Sequence, residues 1–202
     1  MWIEQLPRFM RAIYPLATWR MSSHEKVIYL TFDDGPIPEV TPWVLDILDK
    51  YNIKATFFCV GENVMRYPDL YQELHRRGHR TGNHTYNHMR GFTTTSKTYM
   101  ANVEKAAQYI DSDLFRPPHG GLRKFQYWEV RMKYKVILWD VISRDYDKDV
   151  PEAKVLRIVK KYTRNGSIIV FHDSLKAERN MRYAMPRAVE YLLQQGYEFR
   201  TL

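Results

Sequence analysis

A chain of 202 residues, 45% hydrophobic and 27% charged, is long enough to bury one sizeable core and has an ordinary globular composition, which excludes disordered and fibrous classes. No apolar run reaches the length of a membrane span. The formal charge of +8 suits an anionic partner, but the Lys and Arg residues are scattered and carry no nucleic-acid motif, so a nucleic-acid partner is not expected.

The N-terminal residues 1–26 read as a segment that packs on the domain. Trp2/Ile3, Leu6, Phe9/Met10 and Ile13/Tyr14 recur at near-helical spacing, with an interfacial anchor as the alternative. Arg8 and Arg11 precede a short apolar stretch, but Glu4, Pro15 and the missing small-residue cleavage site argue against a signal peptide. The expectation is a cytoplasmic protein, with peripheral membrane contact as its variant.

From Val27 the chain alternates strands and helices to its end, which makes residues 27–202 one α/β domain with a parallel sheet or barrel. Val27-Ile28-Tyr29-Leu30 is a β-rich run, and Gly35-Pro36 stop it just after Asp33-Asp34. Thr41 is placed to cap a helix that begins at Pro42 and carries Val44, Leu45, Leu48 and Tyr51 on one face. Lys54 to Val60 reads as a strand buried on both faces, with Cys59, the only cysteine, as a small core residue. A helix from Pro68 ends at Arg76-Arg77-Gly78, and His79 to Gly82 is a short strand.

Ser96 is placed to cap the next helix. Leu114-Phe115 is a brief strand, a helix around Phe125 to Lys133 follows, and Val136 to Trp139 reads as a strand. A helix from Pro151, the strand Ser167 to Phe171, a helix from Glu178 to Gln195 and a strand Tyr197 to Leu202 complete the chain.

Chemistry collects at the strand ends. Adjacent carboxylates at Asp33 and Asp34 repel unless a cation, a shared proton or an Arg compensates, and that arrangement asks for a metal. His84 and His88 stand at i and i+4, neighbours if the segment makes a helical turn. With Asp34 they would make a two-His, one-carboxylate site with positions open for water and substrate, as hydrolytic Zn²⁺ requires. Arg116, Asp145 and His172 follow three further strands, and in parallel α/β folds strand C-termini converge on one functional face. His24, His75 and His79 fit no such pattern and read as surface or satisfied core residues. Gly61 and Gly82 are lone glycines, and Ser167 and Ser174 lack a nucleophile elbow.

These residues resemble the polysaccharide deacetylase family, the NodB-like domain of carbohydrate esterase family 4. Five motifs stand in order: Thr31-Phe32-Asp33-Asp34-Gly35, His84-Thr85-Tyr86-Asn87-His88, Arg116-Pro117-Pro118-His119-Gly120, Trp139 through Asp145-Tyr146, and Val170-Phe171-His172. The resemblance implies a single distorted (β/α)₇ TIM-like barrel with parallel strands and a hydrolase that removes N-acetyl groups from an N-acetylhexosamine-containing glycan or sugar conjugate. By position it implies Asp34, His84 and His88 as ligands of a divalent metal. The donor set suits Zn²⁺ and also accommodates Co²⁺, Ni²⁺ or Mn²⁺. It implies Asp33 as general base, His172 as general acid, Arg116 as the partner that orients Asp33, and Asp145 as the group that holds His172 protonated. The His119 backbone N–H would stabilise the oxyanion.

Three positions depart from the family pattern. His119 stands where Tyr is common, Tyr146 where Trp is common, and Val170 replaces Leu near the expected acetyl pocket, a loss of at most about 0.8 kcal/mol of apolar contact. Two other readings stand beside the deacetylase: hydrolysis of another linear or cyclic amide on the same fold, and a non-catalytic carbohydrate-binding protein. Peptidoglycan, chitin oligomers, a surface polysaccharide precursor and a lipid-linked sugar would all present the same acetamide.

Overall fold

The computed structural model describes residues 4, 5 and 7–202. Its central strand is β1, Val27–Asp33, buried on both faces apart from Tyr29, the pattern of an interior strand in a parallel sheet. The chain continues through α1 (Thr41–Lys50), β2 (Thr56–Cys59), α2 (Gly61–Arg66), α3 (Pro68–Arg76), β3 (Arg80–Asn83), α4 (Ser96–Ala107), β4 (Leu114–Phe115) and α5 (Lys124–Arg131). It ends with β5 (Lys135–Val136), β6 (Val141–Ile142), α6 (Glu152–Tyr162), β7 (Ile168–His172), α7 (Glu178–Gln194) and β8 (Glu198–Phe199). Strands run β5-β4-β3-β2-β1-β7-β6, with β8 beside the start of β1, and every ladder is parallel. This is the distorted (β/α)₇ barrel that the resemblance implied.

Packing decides which way the strand ends point. Phe32, Phe57 and Phe171 sit on adjacent strands and stack, with ring centroids 5.0 Å apart for Phe32–Phe57 and 6.4 Å for Phe32–Phe171. They belong to the core that α1, α6 and α7 cover with Val44, Leu48, Val155, Met185 and Leu192. Burying each ring contributes on the order of 2–3 kcal/mol. Because side chains alternate along a strand, outward Phe32 and Phe171 turn Asp33 and His172 inward, and these two are register partners across β1 and β7.

Several elements differ from the sequence reading. The strand expected over Val136 to Trp139 stops at Val136, and a separate β6 at Val141–Ile142 pairs with β7. The cause is Arg116: its guanidinium takes the carbonyls of Ile137 and Leu138. The N-terminal segment takes backbone there as well, with Thr18 N–H donating to Val136 O and Leu138 N–H to Thr18 O. Asp145 therefore follows β6. Helix α2 has only six residues, too few for apolar periodicity to register, and the final strand is the short pair Glu198–Phe199.

Two caps also differ. Thr95, rather than Ser96, caps α4 through its hydroxyl. Thr41 is the first residue of α1, and its hydroxyl is used elsewhere.

Among the N-terminal apolar residues, Trp2, Ile3 and Leu6 lie outside the described residues, as does the side chain of Met10. Arg8–Ile13 is a 3₁₀ turn, and Phe9 and Ile13 face outward with 79% and 63% of their surface exposed. The anchors on the domain are instead buried Tyr14 and Trp19. The Tyr14 hydroxyl donates to Leu122 O, and Arg11 pairs with Asp140 at 2.6 Å. No helix among the described residues is long and apolar enough to cross a membrane.

Candidate active site

Asp33 ends β1 with its carboxylate buried. A carboxylate there needs a partner, and fully buried Arg116, just beyond β4, supplies it: Nη1 donates to Asp33 Oδ1 at 2.7 Å and to Thr31 Oγ1 at 2.8 Å. The guanidinium also lies 4.0 Å from the centre of the Phe58 ring. Burial pulls the Arg116 proton affinity down, opposed by the charge and hydrogen bond of Asp33.

The next residue, Asp34, leaves the strand conformation with φ 86°. Straight strand geometry would send consecutive carboxylates to opposite faces; the left-handed turn lets both serve one mouth. Asn63 Nδ2 holds the Asp34 carbonyl at 2.8 Å. The Asp34 side-chain Oδ1 is buried with no hydrogen bond. It lies 3.8 Å from His84 Nε2 and 3.3 Å from His88 Nε2.

His84 and His88 do meet, but not on a helical turn. The segment from 84 to 88 is a loop in which Thr85 (φ 65°) and His88 (φ 56°) adopt the left-handed region. Side-chain bonds hold that loop: Thr85 N–H donates to Asn83 Oδ1 at 2.8 Å, Tyr86 N–H to Asn102 Oδ1 at 2.8 Å, and Met89 N–H to Thr85 Oγ1 at 3.0 Å. His84 Nδ1 is 2.7 Å from Arg116 O. A carbonyl only accepts, so Nδ1 carries the hydrogen and the Nε2 lone pair faces Asp34. Burial, then His88, pushes the His84 pKa well down, which keeps the ring neutral. One ligating atom each from Asp34, His84 and His88 lies within 4.8 Å of the others.

On the other flank, β6 turns at Arg144 (φ 64°) and delivers Asp145, which is buried. Asp145 Oδ1 stands 2.8 Å from His172 Nδ1 and accepts from the Ser143 hydroxyl at 2.9 Å, while Oδ2 accepts the His172 backbone N–H at 2.8 Å. Burial disfavours the imidazolium, but the Asp145 charge and hydrogen bond, with smaller contributions from Asp34 and Asp33, raise His172 to about 9.

The expected substrate-side residues fall as follows. Tyr146 stands edge-on to His172, centroids 4.9 Å apart. Val170 is fully buried, two residues before His172 on the same strand face and opposite Thr31, so it lies beneath the acid inside the barrel. His119 is exposed in a left-handed turn (φ 58°), with its ring 4.7 Å from His88 and its Nε2 accepting from Arg90 Nε at 3.1 Å. Partial desolvation where its ring packs against His88, then the charges of His88 and Arg90, hold its pKa down at about 4. Its backbone N–H meets no acceptor among the described residues.

Asp173 is the residue that sequence reasoning missed. Its Oδ1 accepts Gly35 N–H at 3.1 Å, its Oδ2 accepts the Thr41 hydroxyl at 2.6 Å, and its own N–H donates to Asp33 O at 3.1 Å. A Cβ on Gly35 would sit 1.9 Å from Asp173 Oδ2, so the glycine is a matter of space. Burial, against Thr41, and the charge of Asp34 raise Asp173 to about 8. His172-Asp173 at a strand end mirrors Asp33-Asp34, and that repetition was the available signal.

His24 is exposed, and His79 is buried with Nδ1 accepting Ala55 N–H. Hollows of about 280 and 310 Å³ lie away from the motif residues, one lined by His75, Arg80 and Asp113, the other by Ile13, Tyr127 and Trp128.

A family model described as polysaccharide deacetylase matches residues 20–135. A peptidoglycan-N-acetylglucosamine deacetylase of Bacillus cereus is 32% identical over 193 residues, covering 92% of this chain and 90% of the relative. The peptidoglycan-N-acetylmuramic acid deacetylase PdaC of Bacillus subtilis is 33% identical over 188 residues, 89% of this chain but 38% of the relative. Among solved structures, a peptidoglycan N-acetylglucosamine deacetylase superposes with a TM-score of 0.85 at 27% identity, covering 98% of this chain and 95% of that one. A mutant of a family 4 pseudoenzyme, described as having restored enzymatic activity, superposes at 0.80 with 26% identity, covering 91% and 68%. The same barrel therefore occurs with and without activity, and the residues in the mouth carry the functional argument.

Proposed function

The chain belongs to the polysaccharide deacetylase family, and from that premise we propose that it is a metal-dependent hydrolase that removes the acetyl group from an N-acetylated hexosamine of a glycan or sugar conjugate. The observation that carries this reading is the arrangement of a carboxylate and an imidazole, each with an opposite-charge partner, on one β1–β7 rung. Asp33 is held by Arg116 and His172 by Asp145, and the Asp34, His84 and His88 cluster stands beside them.

The cluster fits a divalent cation: Asp34 Oδ1 is buried and unpartnered, and His84 is neutral with Nε2 turned toward it. Zn²⁺ suits the His₂Asp donors, and Co²⁺, Ni²⁺ or Mn²⁺ are accommodated by the same set. Such an ion would acidify a water and polarise the acetamide carbonyl.

The chain's own groups account for the protons. Arg116 occupies Asp33 Oδ1 and leaves the other carboxylate oxygen to take a proton from the attacking water. The His119 N–H can donate to the carbonyl oxygen as negative charge grows there. His172 gives its proton to the amine nitrogen as the C–N bond breaks, a step for which an imidazolium kept protonated by Asp145 is suited. One water is consumed, and acetate and a sugar amine leave. Peptidoglycan is the first substrate to try, since it is the polymer named for the relatives.

The test is acetate release by metal-stripped protein with and without added Zn²⁺ or Co²⁺, on peptidoglycan fragments, chito-oligosaccharides and a monomeric N-acetyl sugar. Release restored by metal and abolished in Asp33→Asn protein that still binds metal is the expected result. Silence across the panel at stoichiometric metal would move the reading to another amide or to a binding role.

A further inference from the structure

The mouth carries two cations that this chemistry leaves unused. Arg90 lies two residues past His88. Its Nε donates to His119 Nε2 at 3.1 Å, and His119 stands edge-on against His88 with centroids 4.7 Å apart. Lys176 lies four residues past His172. Its ammonium stands 5.6 Å from the centre of the Tyr146 ring, and Tyr146 stands 4.9 Å from His172. Each cation is thus one aromatic ring away from a site residue, Arg90 on the His88 flank and Lys176 on the His172 flank.

Both side chains are exposed, and neither has a carboxylate partner among the described residues. Two other arginines near these residues are neutralised, Arg116 by Asp33 and Arg144 by Asp147 and Glu4, and exposed Arg123 is spent on the Phe92 carbonyl. A single Nε bond fixes the plane of the Arg90 guanidinium and leaves its terminal nitrogens as a fork, the geometry that grips a carboxylate or phosphate by two hydrogen bonds. Lys176 adds a point charge beside the Tyr146 ring, and two like charges at one set of strand ends raise the local attraction for an incoming anion.

We propose that Arg90 and Lys176 form an anion subsite of this mouth. The substrate would then be an N-acetylated sugar bearing a carboxylate or phosphate on a ring carbon next to the one that carries the acetamide. The proposal rests on the deacetylase reading for the position of the acetamide. With the acetamide between Asp33 and His172, substituents on the adjacent carbons are those nearest the flanks. A lactyl ether carboxylate on one neighbour and a glycosyl phosphate on the other share this chemistry.

The experiment compares kcat/KM for acetate release from an N-acetylmuramic acid fragment, its carboxyl methyl ester and the matching N-acetylglucosamine fragment. N-acetylglucosamine 1-phosphate serves as the phosphate arm. Wild-type protein is expected to prefer the acid over its ester by about tenfold or more, the scale of one charged hydrogen-bond pair. In the Arg90→Gln/Lys176→Gln double variant that ratio is expected to fall to within about threefold of unity, with Arg90→Lys restoring part of it. A preference for the 1-phosphate in place of the lactyl acid would assign the subsite to phosphate. Equal turnover of acid and ester with no preference for the phosphate, or a preference that persists in the double variant, overturns the subsite while leaving deacetylation intact. No acetate from any substrate, neutral ones included, defeats the deacetylase reading instead. Calorimetric binding of acid and ester to the Asp33→Asn protein then still decides the subsite, because equal binding of the two sinks it without any turnover.

Discussion

Replacing Asp145 by Asn tests the proposed acid, His172, directly. His172 stands at about 9 against an ordinary value of 6.5, although burial alone would move it below 6.5. The difference of about 2.5 pH units corresponds to roughly 3 kcal/mol, and Asp145 makes the largest raising contribution through its charge and its bond to Nδ1. Asp145, ahead of Asp34 and Asp33, is the main source of the rise.

The sign follows from the raised value. His172 contributes stability that is fully present below about pH 6.5 and is lost as pH rises through about 9. At pH 8 roughly nine-tenths of wild-type His172 carries its proton, whereas a histidine at or below 6.5 is protonated to about 3%. Asp145→Asn should thus reduce acetate release about thirtyfold or more at pH 8. It should also pull the alkaline limb of the kcat/KM profile from about 9 to below 6.5. NMR titration of the His172 imidazole reads the same shift without turnover. An alkaline limb that stays near 9, with activity lowered equally at all pH values, would mean that Asp145 only positions the ring, and the acid assignment as argued would fail.

Arg116→Met should cost about 3–5 kcal/mol in urea unfolding, because it leaves the buried Asp33 carboxylate unpaired and strips the Ile137 and Leu138 carbonyls of a donor; a loss under 1 kcal/mol would contradict the buried pairing. Asp173→Ala should cost about 1–3 kcal/mol by orphaning Gly35 N–H and the Thr41 hydroxyl. It should also weaken metal binding measured by calorimetry, since the turn that carries Asp34 loses its anchor; unchanged affinity would separate Asp173 from the site. Zn²⁺ should raise the unfolding midpoint of wild-type protein in proportion to the logarithm of its concentration, and Asp34→Ala should abolish that rise. A rise that persists in the variant would place the ion elsewhere.

The sequence was readable where one rule dominates. β1, β2 and β7 are apolar runs buried on both faces, and α1, α3, α6 and α7 carry clean apolar stripes, so burial dictates both pattern and structure. It was unreadable where tertiary partners take over the backbone. Ile137 and Leu138 look like strand residues, yet their carbonyls serve Arg116, whose Cα lies more than twenty positions away in sequence. The outward turn of Phe9 and Ile13 has the same origin: Tyr14 and Trp19, not the periodic stripe, anchor the segment.

The site itself was legible as a set of residues but not as a geometry, and backbone strain explains why. Of the six non-glycine residues with positive φ among the described residues, five are Asp34, Thr85, His88, His119 and Arg144, all within the loops that build the mouth. A left-handed conformation costs an L-residue roughly 1–2 kcal/mol, most for a β-branched one such as Thr85. No local propensity predicts it, so an i, i+4 histidine pair invites a helical reading that the loop does not follow. Strain on this scale persists only where neighbours over-determine it. Here Asn83 and Asn102 fix the Thr85 turn, Asn63 and Asp173 fix the Asp34 turn, and the carbonyl of Arg116 fixes His84. Arg116 joins the two halves, holding Asp33 with its side chain and His84 with its backbone. A shift of this one residue would move the Asp33 carboxylate and the His84 imidazole together, which couples the proposed base to the proposed metal ligand through a single fully buried residue.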